Sequence, residues 1–222
     1  MGCPSSSSIP IATRITTLGN VQFDHVYAPA YDLRSLVHQM RPSYWKEYSV
    51  DKIPPERRKH FFTDRDVMPF SPYQITAYHD GTLFDLGGLT LEAIWTPGHS
   101  AGCCAFLLKE DRMLFSGDTV TAIHGSMAEL EDEYQPYPEY ITMPAYEQGL
   151  QKLTDRMDEY DAVFPAHGRL FVEKEIVSDM LKAAQAVIRD RDDYSYIGYH
   201  NGAIEKHRIQ GLAVLTYMDS RF

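Results

Sequence analysis

Cysteine is scarce: Cys3, Cys103 and Cys104 are the only three in 222 residues. Two of them are neighbours inside the apolar run Cys103 to Leu108, so no disulfide framework can be drawn and buried free thiols are expected. Basic residues are also short. Lys and Arg number 21 against 31 Asp and Glu, leaving a formal charge of −10. Polyanion binding needs basic patches, so nucleic acid and anionic membrane surfaces are excluded as partners. No apolar run is long enough to span a bilayer. The first residues lack the charged-then-apolar order of a secretory signal. A cytoplasmic location is the default expectation, and the oligomeric state is left open.

What the sequence does have is one arrangement used three times. An apolar run ends, Gly or Pro breaks it, and a metal-competent side chain stands at the break. Leu89 to Trp95 alternates as a strand does, and Pro97-Gly98 then presents His99 on a turn. Met113-Leu114-Phe115 leads to Ser116-Gly117-Asp118. Ala162-Val163-Phe164 leads to Pro165-Ala166-His167-Gly168. Singly, each has an ordinary reading: His after Pro-Gly is a turn residue, and Gly-Asp is a turn or a cap. Together, imidazole, carboxylate and imidazole at three strand ends are a donor set suited to zinc or iron.

In this order the three pieces resemble the metallo-β-lactamase superfamily, in its glyoxalase II-like branch. Thr96-Pro97-Gly98-His99-Ser100-Ala101-Gly102 matches that family's TPGHTxG element, Ser116-Gly117-Asp118-Thr119 its GD element, and Pro165-Ala166-His167-Gly168 its PGHG element. The resemblance runs from about Val21 onward. It implies an α/β fold, a metallo-β-lactamase-like αββα sandwich, with two metal ions at its edge. By resemblance the metal residues are His99, Asp118 and His167: His99 completes one site, Asp118 bridges, and His167 completes the other. Zinc is the implied metal, with iron or manganese as alternatives. The implied reaction is hydrolysis of an ester, thioester, lactone or related bond in a small-molecule substrate. No catalytic side chain beyond these ligands, and no substrate-binding residue, is singled out.

One family element has no counterpart. The resemblance places the first metal motif, HxHxDH, just before Gly19, where the chain reads Ala12-Thr13-Arg14-Ile15-Thr16-Thr17. None of these is a good ligand. Residues 1–18 are therefore expected to be an irregular, non-matching segment, and 19–222 a metallo-β-lactamase-like domain that is N-terminally incomplete. A shifted reading frame through this segment is compatible with an apolar strand and a His- and Asp-rich cluster, so a frameshift or mistaken start is one expectation. The alternative is a pseudo-hydrolase with a binding or scaffolding role.

Elsewhere the pattern is regular. His25 to Ala28 reads as a short strand, and Tyr31 to Met40 as a helix. Residues 41–73 mix charges with aromatics and prolines. They read as a solvated connection or as a lid insertion over the pocket. Gln74 to Tyr78, Thr82 to Leu86 and Leu89 to Trp95 read as strands, as do Cys103 to Leu108 and Met113 to Ser116. His25, His38 and His124 are read as surface, satisfied or loop histidines, and the acidic run Glu129 to Glu133 as a solvated face. Tyr146, Leu150, Leu153 and Met157 share one helix face. Ile176, Val177, Met180, Leu181, Val187 and Ile188 share another. His207 to Tyr217 is expected to be one closing strand.

Overall fold

A computed structural model describes residues 7–8, 20–41, 56, 73–121, 127, 134–200 and 203–222. The chain divides into two compact units, Met1–Ala77 and Tyr78–Phe222. The expected boundary at residues 18 and 19 and the segment 41–73 fall outside the described residues, apart from Arg41, Glu56 and Tyr73.

In the first unit, β1 (Ser7–Ser8), β2 (His25–Pro29) and β3 (Gln74–Tyr78) form a sheet in that order, with β1 parallel to β2. Ala30–Asp32 wind as a 3-10 turn, so the expected helix begins later, as α1 (Leu33–Gln39). Ala28 and Leu36 are buried together, with Leu33 and Ile75 packed against them.

The second unit is built on a six-stranded sheet, β4 (Leu83–Asp85), β5 (Thr90–Trp95), β6 (Cys104–Leu108), β7 (Met113–Gly117), β8 (Ala162–Pro165) and β9 (Val172–Glu173), in that spatial order. Successive hairpins make β4 to β7 antiparallel. β7 and β8 run parallel, which requires a crossover. That crossover carries α2 (Met143–Thr154). Thr142 caps it by accepting from the Ala145 N–H, and a proline in the first turn suits its start. Tyr146, Leu150 and Leu153 recur on one face and are fully buried. They meet Ile94, Ala105, Leu107, Leu114 and Val163 from the sheet and Ile176, Val177 and Met180 from α3 (Glu175–Arg189). Strand alternation sends Phe84, Leu91, Phe106, Phe115 and Phe164 to the opposite face.

The expected single strand His207 to Tyr217 is two, preceded by a third. β10 (Tyr196–His200), β11 (Ala203–Gln210) and β12 (Ala213–Tyr217) form an antiparallel sheet. Gly211, at φ 53°, makes the break, and glycine takes that backbone conformation without steric cost. The Asp179 carboxylate of α3 accepts from the Leu212 N–H at 2.9 Å. Ala213, Leu215 and Tyr217 join the core beside α3.

One charged cluster ties α2's end to the sheet. Arg156 donates to both Glu92 carboxylate oxygens at 2.8 Å and to Glu159 at 2.7 and 2.9 Å. Lys109 lies 3.2 Å from Glu92 and 3.3 Å from Glu159. The Arg156 guanidinium holds the Glu159 carboxyl down to about 2 and also lowers Glu92. A carboxylate depressed in the folded chain stabilises it fully above its ordinary range and loses that contribution as the pH falls towards the folded value. The urea midpoint should therefore hold from pH 7 to about 5 and drop below about 4.5, by on the order of 1 kcal/mol from this cluster once solvent screening is allowed for. Arg156→Met should remove that part of the drop.

Candidate metal centre

Three turns at the ends of β5, β7 and β8 build the site. Past β5, Thr96 N–H donates to Cys103 O at 2.8 Å, closing the loop that carries His99. Past β7, Thr119 N–H donates to Ser116 O at 3.1 Å, and the Ser116 hydroxyl donates to Val120 O at 2.7 Å, which wraps a tight turn around Asp118. Past β8, Ala166 N–H donates to Gly117 O at 3.1 Å and joins the His167 turn to the Asp118 turn. The Thr96 and Thr119 hydroxyls meet at 2.6 Å, both buried, and join the His99 turn to the same place. Cys103 Sγ lies 3.2 Å from the Thr119 hydroxyl. Tyr146 of α2 donates its hydroxyl to Thr119 O from below.

These links bring together the three residues singled out by the sequence. His167 Nε2 lies 3.2 Å from Asp118 Oδ1, and His99 Nε2 lies 3.8 Å from Asp118 Oδ2. One imidazole therefore serves each carboxylate oxygen. The Asp118 side chain is 3% exposed, against 25% for His99 and 43% for His167. The carboxylate lies at the bottom and the imidazoles at the rim. Asp118 Oδ2 is buried with no hydrogen-bond partner, as is Ser100 Oγ next to His99. A buried, unpartnered carboxylate oxygen is costly unless something positive meets it. Among the described residues, no three His, Cys, Asp or Glu side chains converge on one point as a ready metal cage.

Three other histidines have partners of their own. His25 stacks on Tyr27 at 4.7 Å and meets Thr76 Oγ1 at 2.7 Å. His38 Nε2 faces Arg41 at 3.0 Å. His124 and Glu129 to Glu133 lie outside the described residues. His207 is buried on the C-terminal sheet, stacked on Tyr196 and 3.0 Å from the Thr216 hydroxyl. Sequence reasoning missed the pairing of Thr96 with Thr119 and the part played by Tyr146. The two threonines had a local signal, each standing inside a ligand motif. Tyr146 had none beyond its place on a buried helix face.

Residues 31–167 match the family model of the metallo-beta-lactamase superfamily. The chain belongs to that superfamily. The α/β, metallo-β-lactamase-like class expected from the motifs holds. A beta-lactamase domain protein from Burkholderia ambifaria has the same fold, with a TM-score of 0.51 at 14% identity over 78% of this chain and 51% of that one. An atrochrysone carboxyl ACP thioesterase of Aspergillus fumigatus is 43% identical over 58 residues, 25% of this chain and 18% of that protein. Lactamase-like protein nscB of Neosartorya fischeri is 30% identical over 137 residues, 59% of this chain and 39% of that one. The chain thus covers well under two thirds of these superfamily relatives. No described helix is long and apolar enough to cross a membrane.

Proposed function

We propose that this chain carries a metallo-hydrolase site, with His99, Asp118 and His167 as metal ligands and an acyl ester or thioester as substrate. The observation that carries the reading is Asp118 Oδ2, buried without a hydrogen-bond partner and facing the His99 imidazole at 3.8 Å, while His167 meets Oδ1 at 3.2 Å. Neutral imidazole and carboxylate are the donors zinc prefers. They fit a cation on either side of Asp118, with one imidazole each. A divalent ion bound there supplies Lewis acidity and lowers the pKa of water towards neutrality. The chain's own part is to hold the donors in place. Asp118 brings a carboxylate that is 3% exposed. The buried threonine pair and Tyr146 fix the turns, so little reorganisation is needed when charge arrives. The thioester is put first because one matched relative is named as an ACP thioesterase. Zinc is put first among metals, with iron and manganese next.

A second reading is that the chain binds a ligand without turning it over. It is supported by Ala12 to Thr17, which stand where the resemblance places HxHxDH and offer no good ligand. Zinc titration followed by thioester, ester and lactone assays separates the two. Zinc retained after dialysis should be below one ion per chain, rising in excess zinc, and turnover should follow zinc and disappear with a chelator. Zinc binding with no turnover of any substrate supports the binding protein. No zinc binding at all sinks the metal assignment.

A further inference from the structure

Arg221 is 2% exposed. Burial of a guanidinium is expensive, and here it pushes the group down to about 10. Its Nη1 donates to two backbone carbonyls far away in sequence, Gly98 O at 3.3 Å and Ile141 O at 3.0 Å. Gly98 immediately precedes His99. Ile141 immediately precedes Thr142, the cap of α2. The same turn also rests on α2: at φ +128°, Gly98 lies so close to Tyr146 that an added Cβ would overlap the tyrosine's Cβ and come within 2.7 Å of its Cα. At the tip of the turn the bonds are long, Gly98 N to Ser100 O at 3.3 Å and Cys103 N to Ser100 O at 3.4 Å. The base of the loop is held by Thr96 N to Cys103 O at 2.8 Å and by Trp95 Nε1 to Ala101 O at 2.9 Å, so it is the Gly98–Ser100 tip whose placement over Asp118 draws on contacts from outside the loop.

We propose that Arg221 is a positioning residue for His99: its guanidinium fixes the Gly98 carbonyl against the start of α2 and so sets the reach of the His99 imidazole towards Asp118. This rests on the reading of His99 as a metal ligand. Removing the grip leaves two buried carbonyls without this donor and frees the turn that carries one ligand. The Asp118 and His167 turns keep their own bond, Ala166 N to Gly117 O. The lesion is therefore selective for one side of the site.

The test uses the full chain and two readouts. Hydrogen exchange followed by mass spectrometry should show residues 96–102 exchanging about tenfold faster in Arg221→Met, with residues 165–168 little changed. Val187→Ala, a core substitution on α3, serves as the control for general destabilisation and should not single out the 96–102 turn. Zinc affinity, measured by competition with a chromogenic chelator, should fall about 10- to 100-fold in Arg221→Met, the loss typical when a group supporting a ligand is removed. Arg221→Lys, which keeps a buried cationic donor, reads the same quantities if the methionine variant does not fold. Faster exchange spread evenly over the chain, as in the control, overturns the proposal. So does unchanged exchange at 96–102. Selective opening of the turn in a chain whose wild type binds no zinc keeps the clamp and rejects the metal reading.

Discussion

Asp118→Asn should abolish zinc binding and leave the metal-free chain at least as stable as before. The two halves of that result have one cause. The carboxylate is 3% exposed, its Oδ2 has no hydrogen-bond partner, and its two neighbours are imidazoles, which offer it a full countercharge only when protonated. A buried oxygen left in that state costs about 1–3 kcal/mol. The amide is nearly isosteric, carries no charge to desolvate, and can donate to an imidazole nitrogen. Without metal, the variant should gain up to roughly 3 kcal/mol, or a rise in Tm of several degrees for a chain of this size. With metal, the balance reverses. A ligand that binds only the folded state raises Tm with its concentration. Added zinc should therefore raise the wild-type Tm and leave Asp118→Asn unmoved. Thermal scans of both proteins with and without zinc measure all four values. A variant that loses several kcal/mol yet still responds to zinc would make Asp118 a structural residue and remove it from the ligand set.

The three ligand turns were legible because their chemistry is local. Each needs a strand, a breaker and one particular side chain in consecutive positions, and nine or fewer residues carry the whole signal at Trp95 to Gly102, Ser116 to Thr119 and Phe164 to Gly168. The strands under them were legible for the same reason: alternation in β5 and β7 survives because one face packs on α2 and α3. What was not legible depends on contacts between distant residues. Nothing near Tyr146 says that its hydroxyl reaches Thr119 O, and nothing near Arg221 says that it reaches Gly98. The end of the chain was misread for another reason. His207 to Tyr217 has enough β-branched and aromatic residues to pass for one strand, and the lone Gly211 was given too little weight as the first residue of a two-residue hairpin turn. His207 is buried on the sheet face away from Leu215 and Tyr217, held by Thr216 and Tyr196, so polarity along the strand did not mark its exposed side.

Gly98→Ala should be the most damaging single-methyl change in the site, lowering both stability and zinc affinity. Two costs add. The residue has φ +128°, outside the regions an L-residue with a Cβ populates comfortably, and strain of that kind is on the order of 1–3 kcal/mol. The new Cβ would also overlap Tyr146 Cβ and lie 2.7 Å from both its Cα and Cδ2. Those are largely backbone and near-backbone atoms of a helix whose opposite contacts are the fully buried core, so they cannot yield as the tip of a flexible side chain would. Overpacking a tight interior adds typically 1–3 kcal/mol. The total, about 2–6 kcal/mol, is a large fraction of what a domain of this size has to lose. Where the variant still folds, the turn must lift off α2, taking His99 away from Asp118 and stretching the Arg221 contact to Gly98 O. Gly81 is the matched control: it is also at positive φ, +76°, but nothing lies within 4 Å of the Cβ it would gain. Gly81→Ala should therefore cost only the backbone strain and leave zinc affinity unchanged. Urea titrations and zinc competition on the two variants separate the terms. Equal losses of stability with zinc affinity intact in both would mean that Tyr146 does not constrain the His99 turn.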